Sequence, residues 1–113
     1  MGIGDWLNEF DGAIIVADEE GKILYLNEKA ARNYEQDGGF KLLGQNLFHC
    51  HKAQSKEKIK AIMNENRANV YTIEKKGIKK LIYQAPWVSQ GQVRGIIELS
   101  LEIPFDLPHF VRD

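Results

Sequence analysis

The stretch "DGAIIVADEEGKILYLNEKAARNY", residues 11–34, decides the fold of this chain. Its apolar run at 13–18 is typical of a buried strand, and the run at 23–26 is typical of a second strand. The residues "EEGK" between the two runs predict a turn, so the strands should form a hairpin. Asn27 then stands where a helix N-cap is expected, ahead of residues that favour helix. This segment therefore predicts strand, turn, strand and helix in that order.

The remaining chain adds a helical middle and a second group of strands. The stretch "FKLLGQNLF" at 40–48 predicts a short helical turn that ends near Gly44. Ser55 is expected to cap a long helix over 56–67. Three further strands are predicted, over 69–75, 78–88 and 93–103. Helices grouped between two sets of antiparallel strands favour the α+β class.

The last predicted strand alternates more cleanly than any other segment. Its apolar residues face one way: Val93, Ile97, Leu99, Leu101 and Ile103. Its polar residues face the other way: Arg94, Glu98, Ser100 and Glu102. Because so apolar a sheet face must be covered, we expect the middle helices to lie on it.

A small ligand pocket is expected between those helices and the sheet. Seven apolar residues are predicted to line it: Leu47 and Phe48 before the long helix, Ile59 and Met63 on it, and Tyr83, Ile97 and Leu99 on the sheet. The ligand itself is not predicted by any of these residues.

These segments together resemble the PAS (Per-Arnt-Sim) sensor domain family. Residues 11–34 resemble its opening hairpin and Asn-headed helix, "FKLLGQNLF" its Leu-Leu-Gly-x-x-Leu segment, and "GQVRGIIELS" at 91–100 its final strand. The resemblance implies a five-stranded antiparallel sheet with helices packed on one face. It also implies a sensing or dimerising role without catalysis. The expected organisation is a leading helix at 1–10, a PAS-like domain at 11–103 and a proline-containing tail at 104–113.

The leading helix is expected to form a dimer contact. Its apolar residues recur at helical spacing: Ile3, Trp6, Leu7 and Phe10. A helix this short is not stable alone, so it must pack on its own sheet or on a second chain. In PAS domains such a helix often lies between two copies, so the resemblance implies a homodimer. Pro104 and Pro108 exclude a regular helix after the last strand, so either the domain works alone or a longer chain was cut there.

The segment His49-Cys50-His51 raises the question of a metal, haem or thiol site. Three adjacent residues cannot readily surround one tetrahedral ion, and the sequence places no fourth ligand nearby, so no metal is expected. Cys50 precedes a predicted helix N-terminus, where a thiol becomes more acidic, so a redox role stays open beside that of a buried apolar filler.

The family resemblance also bears on cofactors. Light-sensing relatives carry a reactive cysteine where this chain has Leu47, so a flavin adduct is not expected. Haem-binding relatives usually supply a histidine from the long helix, and 56–67 contains none. Haem bound through His49 or His51 is therefore not expected either.

Composition narrows the function further. A chain of 113 residues with a net charge of -1 and one cysteine is typical of a single domain in a reducing cytoplasm. We expect neither nucleic-acid nor membrane binding, because no strong positive charge or long apolar run is present. The sequence thus predicts a stand-alone cytoplasmic PAS-type sensor of bacterial style that binds a small ligand and signals to an unidentified protein. The alternatives are a ligand-free dimerisation module and a thiol redox sensor acting through Cys50.

Overall fold

The computed structural model describes residues 2–47 and 53–113, and within them the chain has the α+β fold that the sequence predicts. The α-helices are α1 (Ile3–Glu9), α2 (Glu28–Asn33) and α3 (Ala53–Glu65). The strands are β1 (Ala13–Asp18), β2 (Ile23–Leu26), β3 (Asn69–Lys75), β4 (Ile78–Ser89) and β5 (Gln92–Ile103). Two short 3-10 helices, Glu35–Asp37 and Gly39–Leu42, follow α2. In this part of the chain, no helix is both long enough and apolar enough to cross a membrane.

The five strands form one antiparallel sheet in the order β2-β1-β5-β4-β3, which confirms the predicted sheet. Two-residue turns join β3 to β4 and β4 to β5. Lys76 and Gly77 have φ angles of 53° and 79°, and Gln90 and Gly91 have φ angles of 53° and 75°. Turns with two positive φ angles match the twist of the flanking strands, which is why a glycine follows a polar residue at both places.

Gly95 lets the first and last strands approach closely. It pairs with Asp18 across β1 and β5. A Cβ atom at Gly95 would collide with the carbonyl oxygen of Ala17. Since only glycine lacks that atom, this position requires glycine for the two strands to hydrogen-bond in this register.

The helices pack on one face of the sheet, which we call the inner face. α2 contacts β1, and α3 contacts β4 and β5. The residues that the inner face contributes include Ile15, Ile82, Gln84, Ile96 and Glu98. With apolar residues of α2 and α3, the inner face forms the hydrophobic core.

Neither α2 nor α3 covers the opposite, outer face of the sheet, which along β4 and β5 carries the more apolar set of residues. Because successive residues of a strand point to opposite faces, the neighbours of the inner-face residues lie here. One cross-strand row of the outer face runs through Val70, Tyr83, Leu99 and Ile14. The sequence-based expectation that α2 and α3 cover the apolar face of β5 is therefore wrong. They cover the face that carries Ile96 and Glu98.

Asn27 fastens the start of α2 to the sheet. Its side chain is fully buried, and its oxygen accepts the backbone N–H groups of Ile14 and Ala30 at 3.0 Å each. Its amide donates to the carbonyl oxygens of Gly12 at 2.8 Å and Leu7 at 3.0 Å. The predicted N-cap role of Asn27 is confirmed.

The start of α3 differs from the prediction. The helix begins at Ala53, so Ser55 is its third residue and not its N-cap. The predicted site residues Phe48, His49, Cys50 and His51 lie outside the described residues.

Candidate functional site

A cavity of about 250 Å³ lies between the inner face of the sheet and the short helices that follow α2. We call it the helix–sheet cavity. Its described lining residues are Ile15, Ile23, Tyr34, Asp37, Leu42, Leu47 and Glu98. The lining is mainly apolar with a few polar groups, which is the usual make-up of a small-molecule site.

Backbone pairing places Leu47 in this cavity. The N–H of Ile23 donates to Gln45 at 2.8 Å, and the N–H of Gly44 donates back to Ile23 at 2.8 Å. The N–H of Leu47 then donates to the carbonyl oxygen of Gly21 at 2.5 Å. Residues 44–47 thus run along the edge of β2, and Leu47 is almost fully buried.

The end of α2 supplies Tyr34. Its backbone N–H donates to the carbonyl oxygen of Ala30 at 3.0 Å, which closes the last turn of the helix. The side chain packs against the core and lines the cavity. Burial, together with the negative charge of Glu98, raises the pKa of Tyr34 to about 12. The phenol is therefore a neutral hydrogen-bonding group at physiological pH.

Glu98 projects from the middle of β5 into the same space. It pairs with Ile15 on one side and Gln84 on the other. The side-chain amide of Asn69 donates to Gln84 at 3.0 Å, and the amide of Gln84 lies 3.5 Å from the Glu98 carboxylate. A row of polar side chains thus crosses the inner face and ends at the carboxylate.

A second space, which we call the neighbouring cleft, lies on the other side of Tyr34 and Glu98. It has a volume of about 310 Å³ and is also lined by Lys58, Ile59, Tyr71, Ile73, Ile82 and Gln84. Tyr34 and Glu98 line both spaces. Burial and the Glu98 charge also raise the pKa of Tyr71.

The described residues among those predicted for the pocket do not line one common space. Leu47 lines the helix–sheet cavity, and Ile59 lines the neighbouring cleft. Met63 packs at the edge of the core and lines a separate surface groove with Glu19. Phe48 belongs to the stretch outside the described residues.

Tyr83, Ile97 and Leu99 are placed elsewhere, so their assignment to the pocket is corrected. All three lie on the outer face, because the residues beside them, Ile82 and Glu98, face the helices. The sequence shows which residues of a strand share a face, but not which face receives the helices.

Tyr34 and Glu98 are the functional candidates that the sequence analysis missed. A signal for Tyr34 was present, since Asn27, Ala30, Ala31 and Tyr34 recur at the spacing of one helix face. Glu98 gave no comparable signal. A glutamate that alternates with apolar residues is usually a solvent-facing residue of the strand.

The described residues supply no evident metal or haem ligand at this site. They contain no cluster of three or more potential metal-ligating side chains. Their one histidine, His109, lies in the exposed tail after β5. The expectation that His49 and His51 hold neither metal nor haem concerns the stretch outside the described residues, and it stays a prediction.

A second candidate surface is formed by α1 and the outer face. The four apolar side chains of the leading segment are exposed, with Trp6 at 61%. A Cβ atom at Gly12 would lie 2.6 Å from the ring of Phe10 and 2.5 Å from the side chain of Leu101. Phe10 and Leu101 therefore converge at Gly12, and the apolar stripe of α1 continues onto the outer face.

Comparison with known proteins adds to this geometry. No protein-family model matches the sequence. No curated protein matches it either. Among solved structures, the PAS domain of a protein from Colwellia psychrerythraea matches with a TM-score of 0.62, at 21% identity, over 88% of this chain and 92% of that chain. This chain has the PAS fold.

Other solved structures similar to this chain differ in what their descriptions say they bind. The Aer2 receptor from Vibrio cholerae, described as a dual PAS-heme oxygen sensor, matches with a TM-score of 0.61, at 18% identity, over 82% of this chain and 95% of that chain. Vibrio cholerae VqmA, solved in complex with a ligand and DNA, matches with a TM-score of 0.66, at 12% identity, over 87% of this chain and 48% of that chain. The present chain thus spans about half of VqmA. At these identities the likeness is one of fold.

Proposed function

We propose that this PAS domain is a cytoplasmic sensory domain that binds a small molecule in the helix–sheet cavity and acts through protein contacts, without catalysis. The observation that carries the proposal is the cavity itself, with Tyr34 and Glu98 in a mainly apolar wall. The fold supports the sensory role, and the lining supports binding.

The size of the cavity supports a compact ligand. An apolar protein cavity of about 150 Å³ is large enough to bind benzene. A cavity of about 250 Å³ is therefore suited to a molecule of one or two small rings or of similar bulk. The mainly apolar lining with a few polar groups supports an organic ligand.

The strand β5 offers a route from the cavity to the outer face. Glu98 faces the ligand space, whereas Ile97 and Leu99 beside it face outward. A ligand that attracts the Glu98 side chain shifts the backbone of β5 at this point. Ile97 and Leu99, on either side of Glu98, move with that backbone. The signal in this proposal is a change in how the outer face packs against a partner.

The partner that we propose is a second copy of this chain. The outer face and the stripe of α1 form one continuous apolar surface through Phe10 and Leu101. Large continuous apolar surfaces that are exposed on a single chain usually mark sites of contact with another protein. In the proposed homodimer, Ile3, Trp6, Leu7 and Phe10 of each copy pack against the partner, and an unidentified signalling protein reads the arrangement.

We place no nucleic-acid contact on this domain, because its net charge is -1. VqmA shows that a protein containing a domain of this fold is found with DNA, and this chain matches about half of that protein. A DNA-binding role for a longer protein that contains this domain is compatible with the proposal.

Ligand binding is tested by native mass spectrometry of the purified protein, followed by a thermal-shift screen of small molecules. We expect either a retained molecule or compounds that raise the melting temperature. Leu47→Phe, which fills the cavity, should abolish this binding, whereas Leu43→Phe, at an exposed position, should preserve it.

A ligand-free dimerisation module is the second candidate, favoured by the large exposed apolar surface. It predicts that the wild type carries no molecule, that no compound shifts its melting temperature, and that the dimer still forms. That combination would overturn the sensory proposal. A thiol sensor would instead require Cys50, which lies outside the described residues.

The dimer is tested by sedimentation velocity over a range of protein concentrations. Trp6→Glu places a charge on the proposed interface and should shift the protein to a monomer. Phe40→Glu is the matched control, because Phe40 is 54% exposed but lies on the helical side of the domain. A monomeric wild type, or equal loss of the dimer in both variants, would contradict the proposed surface.

A further inference from the structure

The described lining of the helix–sheet cavity is acidic as well as apolar. Two carboxylates, Glu98 and Asp37, are among its described lining residues, and none of those residues is basic. Asp37 is exposed at the mouth, in the first 3-10 helix, whereas Glu98 is half-buried in the sheet. Lys58 lines the neighbouring cleft, on the other side of Tyr34 and Glu98.

The carboxylate of Glu98 stands at the end of a row of amide side chains. The amides of Asn69 and Gln84 lead to one of its oxygens, so the side chain is oriented from the β4 side. A carboxylate has two oxygens and about four acceptor positions, so a ligand donor shares it with its protein partners. A protonated amine satisfies such an acceptor more strongly than a neutral donor does, because both partners of the hydrogen bond are then charged.

The described lining of the cavity disfavours an anionic ligand. An anionic ligand in this space faces the Glu98 carboxylate in a partly buried setting, where like charges repel more strongly than in water. Burial is the main cause of the raised pKa of Tyr34, and the charge of Glu98 adds to it by opposing a second negative charge beside it. Ile15, Ile23, Leu42 and Leu47 supply the apolar wall.

We infer that the helix–sheet cavity selects a small, largely apolar molecule that carries a protonated amine or an N–H donor, bound by the Glu98 carboxylate. This inference rests on the proposed function, since it names the ligand class of the same site. The neutral phenol of Tyr34 adds a second hydrogen-bonding group within the cavity, and Asp37 attracts a cation to the mouth.

Three probes of similar shape and different charge test the inference: benzylamine, ethylbenzene and benzoate. Each is titrated into the isotopically labelled protein, and the backbone amide signals of Ile15 and Leu47 report binding in the cavity. We expect benzylamine to bind about tenfold or more tightly than ethylbenzene, the factor given by a charge-assisted hydrogen bond. Benzoate should bind more weakly than both.

Glu98→Gln keeps the side-chain size and removes the charge, so it should reduce the preference for benzylamine over ethylbenzene to about twofold or less. Glu102→Gln is the matched control, because it removes the same charge from the same strand outside the cavity lining, and it should keep the preference.

Equal binding of benzylamine and ethylbenzene by the wild type, or tighter binding of benzoate, would overturn the inferred ligand class and leave the proposed binding cavity intact. An unchanged preference in Glu98→Gln would also overturn it. If none of the three probes moves the signals of Ile15 and Leu47 at millimolar concentration, both this inference and the proposed binding function fail.

Discussion

The side-chain oxygen of Asn27 accepts the backbone N–H of Ile14 at 3.0 Å. One buried side-chain amide thus ties the start of α2 to strand β1. The same oxygen caps α2, and the amide nitrogen holds the loop that joins α1 to β1. An aspartate at this position would keep the acceptor and lose both donated bonds. Asparagine is thus the residue type that satisfies both sides.

Replacing Asn27 with alanine should strongly destabilise the domain. The variant loses the N-cap, worth about 1 kcal/mol, and leaves buried backbone groups of Ile14 and Gly12 without partners, at about 1–3 kcal/mol each. We expect the free energy of unfolding, measured by urea denaturation, to fall by about 3 kcal/mol or more. Asn33→Ala, at the exposed end of the same helix, is the control and should change it little.

Gly95→Ala should be costly although alanine is a small residue. The new Cβ meets the carbonyl oxygen of Ala17, and rigid backbone cannot give way as a side chain does. We expect a loss of about 2–3 kcal/mol, as for overpacked cores, measured by thermal or urea unfolding. Gly4→Ala has open space around the new atom and should be neutral or slightly stabilising, because alanine favours helix. Equal stability of both variants would contradict the close approach of β1 and β5.

Two residues of α3 should respond unequally to truncation. Ile59 is 2% exposed within the core, so Ile59→Ala should cost about 2–5 kcal/mol. Met63 is only partly buried, so Met63→Ala should cost less, about 1 kcal/mol. Urea denaturation of both variants measures the difference. If Met63→Ala lowered the free energy of unfolding more than Ile59→Ala, the packing of α3 on the sheet through Ile59 would be contradicted.

Stability should fall in alkaline solution through Tyr34. Its pKa in the folded protein is about 12, above the ordinary value of 10.0, so the folded state holds the proton more tightly than the unfolded state. The contribution of this proton to the free energy of unfolding is therefore complete below pH 10 and is lost as the pH rises from about 10 to 12. The slope from this group is about 1 kcal/mol per pH unit in that window.

Tyr34→Phe removes the titrating group and should flatten this slope in urea denaturation between pH 9 and pH 11. Glu98→Gln should flatten it in part, because burial, the larger cause of the raised pKa, remains. Tyr83→Phe, on the outer face, is the control. An identical slope in the wild type and in Tyr34→Phe would rule out the burial of this phenol beside Glu98.

The sequence predicts the elements of this fold well because their signals are local. The apolar runs at 13–18 and 23–26 coincide with β1 and β2, and the cap at Asn27 begins α2 as expected. Positive φ angles at Gly77 and Gly91 explain the turns. Each of these features depends on neighbours in the chain, which the sequence displays.

The choice of sheet face could not be predicted from the same signals. Alternation along β5 separates Leu99 from Glu98 but carries no information on where α3 packs. The helices lie on the side of Glu98, so the cavity contains a carboxylate that the sequence analysis assigned to solvent. The helix α3 also begins earlier than the sequence predicts. Serine is a common N-cap residue, but Ser55 lies inside the helix.

The proposed dimer would make the stability of this domain depend on protein concentration. A single copy exposes the apolar row that includes Val70, 50% exposed, and Tyr83, 40% exposed. In the proposed dimer this surface is buried only in the assembled pair, so assembly stabilises the folded chain by mass action. We therefore expect dilution of the proposed dimer to lower the melting temperature, and a cell that makes few copies would keep the domain closer to its unfolding threshold than one that makes many.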